Sequence, residues 1–355
     1  MNKTMNSKKI ERNVLKFTGL FAVGVVLFLG VFNFVGFGQI AGAISQLHVP
    51  YYIIAIFLIS LSIVTWAIRW SLFTSLSGHD VGFYELLKNL IIGLAINNLT
   101  PVFKMGGEAA RVYLLKARSG IKGREGLATV SSDLTMELIV DILLAIVAVV
   151  FLMIFLSPPF WLYGILIVFV LMSSLIIFGI FGLYTGQQVI YTIINWVCNR
   201  VEKLEDYRES IIEKYETFQN TFRTILGNRK VFAQTASLTV TRKVISVAKF
   251  YVLFAAFGYQ INVFTILIAL GVGYMIMMVP ATPGSLGIFE GGMVSIFIIM
   301  GVPAGIAAAV VFLDRLIWFW AVTGLGSGLG TYYGLDILGG EFLKSSDEST
   351  PGKSI

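Results

Sequence analysis

The chain has 355 residues, of which 57% are hydrophobic and 13% charged, and its formal net charge is +6. Soluble domains carry about 25% charged residues, so this composition excludes a soluble globular protein and predicts an integral membrane protein. The basic residues cluster at the ends of apolar runs, where they set membrane topology, so we expect no nucleic-acid partner. A single cysteine, Cys198, excludes internal disulfides and a Cys-rich metal site, and we expect no metal or other cofactor.

Six apolar runs are long enough to span a bilayer, which takes roughly 20 residues of helix. The first follows a basic cytoplasmic segment, 1–16, and is too long for the apolar part of a signal peptide, so we predict a retained helix. We expect one transmembrane domain over 17–335 and a polar tail over 336–355. The six runs are 17–37, 50–73, 126–157, 159–184, 231–257 and 304–333.

One long polar stretch, 186–230, has apolar residues at helical spacing. We interpret it as a cytoplasmic helix that connects a first half, about 50–157, to a second half, about 231–333. Two further apolar regions are interrupted: 83–118 at Asn97–Pro101 and Gly106-Gly107, and 263–300 at the stretch VPATPGSLGIFEGG.

Positive charges alternate between the connections. Five precede the first run, and others fill 116–125 and 186–230, whereas the connections at 38–49, 258–262 and 301–303 have none. Because positive connections stay in the cytoplasm, both termini are predicted to be cytoplasmic. Each interrupted region must then be a re-entrant hairpin, the first entering from the cytoplasm and the second from outside.

The two hairpins share a pattern. Thr100-Pro101 is followed by Glu108 and, 25 residues later, by Asp133; Thr282-Pro283 is followed by Glu290 and, 24 residues later, by Asp314. Inverted repeats with broken helices at the bilayer midplane are typical of transporters. We therefore predict an all-α polytopic fold of about six full spans and two broken hairpins, arranged as an inverted repeat.

Irregular backbone inside a membrane must be buried in protein or line a wet cavity. Gly106-Gly107 and Pro283-Gly284-Ser285 are predicted to begin half-helices, whose N-termini suit an anion. The alternative is that these residues only make turns.

Charged residues within the apolar runs are the second indication of function. Asp133, Glu137 and Asp141 recur every four residues and share one helix face, and Arg242 and Lys249 share another. A charge at the bilayer centre costs about 2.5–3.5 kcal/mol, so each needs an interior partner. Three interpretations of these charges remain open: structural ion pairs, a charge-lined groove, or a proton relay. Arg69 and Lys249 lie near span ends, so their side chains could instead extend to the membrane interface.

The segments NNLTPVFKMGGEAARVYLL (97–115) and PATPGSLGIFE (280–290) resemble motifs of the flippase-like membrane region of lysylphosphatidylglycerol synthases. The Asp314-Arg315 pair is similar to that family's late arginine-bearing helix, although Ser285 stands where the family motif has a second glycine. The resemblance implies a lipid-handling protein. Arg111 and Arg315 would contact a head-group phosphate, and Glu108 and Glu290 would either contact a cationic head group or cap the opposite hairpin.

The candidate substrate-binding residues combine the motif positions with the charged ones. They are Pro101, Gly106, Gly107, Glu108, Arg111, Asp133, Glu137, Arg242, Pro283, Gly284, Gly287, Glu290, Asp314 and Arg315.

The leading hypothesis is a lipid flippase or transporter of a phospholipid or a lipid-linked anionic intermediate. The chain stops soon after its last span, so we expect no synthase domain and no enzyme activity, and a separate lipid synthase or glycosyltransferase as a partner. The alternatives are an intramembrane lipid-modifying enzyme and a membrane scaffold that recruits a separate synthase through 186–230.

Overall fold

The computed structural model describes residues 2–100, 105–155, 160–185, 188–200, 208–278 and 282–334. All regular structure in these ranges is helical, which confirms the all-α prediction. The helices, numbered in chain order, are α1 Asn2–Val35, α2 Phe37–Ile44, α3 Val49–Leu76, α4 Phe83–Leu99, α5 Met105–Ser119, α6 Gly123–Phe155, α7 Phe160–Thr185, α8 Gln188–Arg200, α9 Arg208–Gly227, α10 Arg229–Ala255, α11 Val263–Met277, α12 Ile288–Ile299 and α13 Ala304–Arg315.

Fewer helices are long and apolar enough to span a membrane than the six that the sequence predicted. Among the described residues, α3, α6 and the helix Ala304–Gly334 are long and apolar enough, and the apolar part of α1 joined to α2 adds a fourth candidate. That pair is bent by 79°, and the bend follows Gly36, whose φ is +97°. The first predicted run, 17–37, therefore ends at this bend, and α2 lies in the stretch that was predicted as a connection.

Helix α10 has the length of a span but not the apolar composition. It is 27 residues long and has Lys or Arg at positions 229, 230, 242, 243 and 249. Three of these, Arg242, Lys243 and Lys249, are buried among other helices, so their charges face the protein interior. The polar stretch before α10 contains two described helices, α8 and α9, where one connecting helix was expected.

The first hairpin consists of α4 and α5, which cross at two glycines. A Cβ placed on Gly107 would collide with the backbone carbonyl of Gly93 and lie 2.6 Å from Asn97 Cγ. Only glycine allows this separation, which explains why Gly106-Gly107 opens α5. Residues 101–104, with Pro101, lie outside the described residues.

The second hairpin breaks differently from the prediction. Pro283–Ser285 forms one 3₁₀ turn, and the α-helix that was expected to start there begins at Ile288. Gly284 and Ser285 both have φ of +55°, a left-handed conformation that cannot continue into an α-helix. Gly287, with φ of +84°, then turns the chain into α12.

Two helix sets share one order: a long helix, two short helices, and a second long helix, which in the second set is α13 together with its continuation to Gly334. They are α3–α6 and α10–α13. Helix α3 packs along α10, and α6 packs along α11, so the two sets interlock. One large apolar cluster joins α1, α2 and the second set, and another lies around α3 and α4.

Candidate functional site

Asp133 of α6 is the centre of a buried ion cluster. Its side chain is fully buried and accepts hydrogen bonds from Trp66 Nε1 at 2.7 Å, Arg69 Nε at 2.8 Å and Arg111 Nη2 at 2.8 Å. Arg111 also lies 3.9 Å from Glu108 Oε1, one helical turn earlier in α5. A carboxylate between two guanidinium groups joins α3, α5 and α6 at one point.

The next two acids of α6 extend this cluster towards α10. Glu137 pairs with Arg69 at 2.7 Å, with Lys243 Nζ at 2.5 Å and with Arg242 Nη1. Lys243 also pairs with Asp141. The four-residue spacing predicted that these acids share a helix face, and the structure places one row of cations opposite that face.

Aromatic rings cover the cations of the cluster. The Arg242 guanidinium lies 4.0 Å from the Trp66 ring centroid, and that of Arg111 lies 3.9 Å from Trp70. Lys243 Nζ is 4.3 Å from the Tyr274 ring. Cation–π contacts of this kind stabilise desolvated charges by about 2 kcal/mol. Sequence reasoning missed these rings because tryptophan and tyrosine in an apolar helix carry no signal of their own.

A second ion cluster lies between α10, α12 and α13. Lys249 Nζ pairs with Asp314 at 2.5 Å, and Arg315 Nε pairs with Glu290. The alternative that Arg69 and Lys249 extend to the membrane interface is wrong, because their exposed fractions are 0% and 9% and both bind buried carboxylates. Pairing inside the protein outweighs a route to water that other helices block.

A cavity of about 150 Å³ lies between the two clusters and reaches both hairpins. The first hairpin contributes Asn97, Asn98 and Thr100 to its wall. The second contributes Thr282, Gly284, Ser285 and Phe289. The charged wall residues are Glu137, Asp141, Arg242, Lys243, Lys249, Asp314 and Arg315.

The two hairpins are in direct contact beside the cavity. A Cβ placed on Gly284 would lie 2.9 Å from the carbonyl oxygen of Asn98 and 2.5 Å from the ring of Phe319. The two broken segments thus meet at this point, and Gly284 is the residue that allows the contact.

The predicted site residues divide into two groups. Five line the cavity: Glu137, Arg242, Gly284, Asp314 and Arg315. Eight others do not line it: Gly106, Gly107, Glu108, Arg111, Asp133, Pro283, Gly287 and Glu290. The last predicted residue, Pro101, is outside the described residues. Arg111, proposed as a phosphate contact, is 2% exposed and is bound to Asp133 against Trp70.

The two hairpin glutamates bind protein groups. Glu290 is fully buried, accepts the Gly287 N–H at 2.5 Å and pairs with Arg315. It therefore caps its own helix α12, whereas a contact with a cationic head group or a cap of the opposite hairpin was expected. Glu108 accepts from Asn97 Nδ2 at 3.0 Å, and Asn97 Oδ1 accepts the Gly107 N–H at 2.7 Å. Both acids hold the shape of a hairpin.

Metal binding finds no support in the described part of the chain. Those residues contain no group of three or more His, Cys, Asp or Glu side chains placed to hold an ion.

Comparison with known proteins identifies relatives over almost the whole chain. The family described as the lysylphosphatidylglycerol synthase TM region matches residues 17–326, which confirms the resemblance predicted from the two motifs. A UPF0104 membrane protein of Methanothermobacter thermautotrophicus is 26% identical over 323 residues, covering 90% of this chain and 96% of that protein. One from Pyrococcus horikoshii is 26% identical over 317 residues, covering 86% and 94%. No solved structure matches the chain.

Proposed function

The chain belongs to the lysylphosphatidylglycerol synthase transmembrane-region family, and we propose that it moves a lipid with an anionic head group across the membrane. In this proposal the head group passes through the cavity between the two hairpins, and the acyl chains stay in the bilayer. The protein is a multi-pass membrane protein. The transport step is our proposal.

The observation that carries the proposal is a buried donor on the cavity wall. Four cations and three carboxylates line the cavity, and the remaining cation, Arg315, is paired with Glu290, which does not line it. Arg315 lines the cavity, is 1% exposed, and its Nη2 atom has no hydrogen-bond partner among the described residues. A buried donor without a partner is costly, and a phosphate oxygen is a strong acceptor for a guanidinium group.

Cavity size favours a head group over a whole lipid. A volume of about 150 Å³ holds several water molecules but not a whole lipid. That space suits a phosphate and its nearest substituents. The wall belongs to both hairpins, so a rocking motion of one helix set against the other would open the same site to either side.

The membrane orientation belongs to the same proposal. The alternating positive charges support cytoplasmic termini, a first hairpin entered from the cytoplasm and a second entered from outside. The shared helix order of α3–α6 and α10–α13 supports an inverted repeat. A separate lipid synthase or glycosyltransferase would supply the lipid, and this chain would have a transport role without an enzymatic one.

Reconstitution tests the proposal directly. Purified protein in proteoliposomes is assayed for movement of fluorescent phosphatidylglycerol and of a polyprenyl phosphate between leaflets. Arg315→Lys keeps a positive charge beside Glu290 but replaces the guanidinium group by a single ammonium, so the unpartnered Nη2 donor is lost, and we expect at least about a tenfold loss of transport. The matched control is Arg229→Lys, the same change at an exposed residue of α10.

Two results would contradict the proposal. If folded wild-type protein moves neither lipid, the transport function is wrong. If Arg315→Lys and Arg229→Lys transport equally well, the head group does not use this cavity.

A further inference from the structure

The last long helix, Ala304–Gly334, changes its winding directly after the cavity residues Asp314 and Arg315. Leu316–Ala321 is a π-helical turn. At its end the Val322 N–H is shared between the carbonyls of Ile317, five residues back, and Phe319, three residues back. A π turn holds one more residue than an α turn, and such turns are frequent at functional sites.

The part of the helix that follows the π turn is fixed to the first hairpin. A Cβ on Gly326 would lie 2.6 Å from Ala95 Cβ of α4, so the two backbones are in close contact. Nearer the cavity, Asn98 Nδ2 donates to Thr323 Oγ1 at 3.0 Å. The helix therefore cannot rotate freely beyond the turn.

The part before the turn is fixed to other elements. Asp314 binds Lys249 of α10, and Arg315 binds Glu290 of α12. The π turn is thus the joint between two anchored helix segments. Relaxation to an α turn would change the phase between them by about one residue, which is about 100° of rotation.

Asn98 lies at this joint. Besides its bond to Thr323, its Nδ2 donates to the carbonyl of Phe319 inside the π turn at 3.4 Å. The ring of Phe319 in turn fills the space beside Gly284, at the second hairpin. The Asn98 amide, at the end of α4 in the first hairpin, therefore contacts both the π turn and the helix segment that follows the turn.

We infer that Asn98 is a positioning residue that holds the π turn, so that the first hairpin sets the direction in which Arg315 faces the cavity. The effect of Asn98 on transport rests on the proposed function, but its effect on the π turn can be tested without a transport assay. Loss of the Phe319 contact lets the turn relax towards an α-helix and turns Arg315 away from the head-group site.

Two substitutions separate the two bonds of Asn98. Asn98→Asp removes the donor to the Phe319 carbonyl, while the Thr323 hydroxyl can still donate to the new carboxylate. Thr323→Val removes the other bond and leaves Phe319 as it is. Only the first change should alter the π turn.

A thiol reporter reads the turn without any lipid assay. In a Cys198→Ser background, Trp318→Cys places a thiol on the cavity wall. We expect Asn98→Asp to lower its reaction rate with a water-soluble thiol reagent about fivefold, the effect of losing one hydrogen bond, and Thr323→Val to leave the rate unchanged. Equal rates in all three proteins, or an equal fall in both variants, would overturn the inference.

Transport selectivity gives the second test. If Asn98 acts through Arg315, Asn98→Asp should lower the ratio of phosphatidylglycerol to phosphatidylcholine movement, and the double variant with Arg315→Lys should be no lower than Arg315→Lys alone. Independent, additive losses would overturn the inference, because they would indicate that the new carboxylate repels the lipid directly. If wild-type protein moves neither phosphatidylglycerol nor the polyprenyl phosphate, the proposed function fails, and the thiol experiment still decides the role of Asn98.

Discussion

Replacement of Asp133 by Asn should destabilise the protein more than any change at an exposed ion pair. The carboxylate accepts bonds from an indole and two guanidinium groups at 2.7–2.8 Å, and it has no exposed surface. Asparagine keeps the size of the side chain, so the packing stays nearly unchanged. Its amide removes the negative charge and replaces one acceptor oxygen by a donor.

The expected loss follows from the two cations left behind. Breaking a buried ion pair by removing one partner costs about 3–5 kcal/mol, because an uncompensated charge remains in a low-dielectric interior. Arg69 keeps Glu137 as a second partner, whereas Glu108 at 3.9 Å is the one ion-pair partner that Arg111 retains within the described ranges. We therefore expect Asp133→Asn to lower the free energy of unfolding by about 3–5 kcal/mol.

The assay is unfolding in mixed micelles with increasing SDS, followed by tryptophan fluorescence. Glu213→Gln is the control: Glu213 pairs with Arg124 at 3.5 Å, but its side chain is 73% exposed, so the loss should be below about 1 kcal/mol. If Asp133→Asn costs no more than Glu213→Gln, the buried cluster does not stabilise the fold as argued.

Three further predictions concern the hairpins and the orientation. Gly107→Ala should lower thermal stability by about 1–3 kcal/mol, since its methyl group would overlap α4, whereas Gly30→Ala, with no atom within 4 Å, should not; equal melting curves would refute the close crossing. Ser285→Gly should increase the free energy of unfolding by up to about 1 kcal/mol, and so raise the melting temperature, because Ser285 has φ of +55°; a decrease would show that the hydroxyl matters more than the backbone. In a cysteine-free background, Gln260→Cys should react with an impermeant thiol reagent on intact cells and Lys122→Cys only after permeabilisation; the reverse pattern would exclude the proposed topology.

The sequence predicted those features that depend on local spacing. The four-residue period of Asp133, Glu137 and Asp141 defines a helix face wherever that helix lies. Proline and glycine likewise mark the two hairpin breaks, because they restrict or free the backbone locally. The family resemblance came from the same two hairpin segments.

What the sequence could not predict depends on packing between distant segments. Lys249 was a candidate interfacial side chain because it lies near the end of a predicted span, and that position can be read from the sequence alone. Its partner Asp314 is brought near only by the packing of α10 on α13. The left-handed Ser285 has the same origin, since nothing in its identity indicates a positive φ. The π turn leaves no trace in an apolar sequence, which reads as a continuous helix.

The contact between Gly287 and α1 has a consequence for biosynthesis. A Cβ on Gly287 would lie 2.8 Å from the backbone nitrogen of Phe28, so the second hairpin docks directly on the first helix of the chain. The ribosome makes these two partners roughly 10–50 s apart, at about 5–20 residues per second. Until then α1 lies in the membrane with its docking surface covered only by lipid or by the insertion machinery, and the hairpin must displace that cover to reach its place.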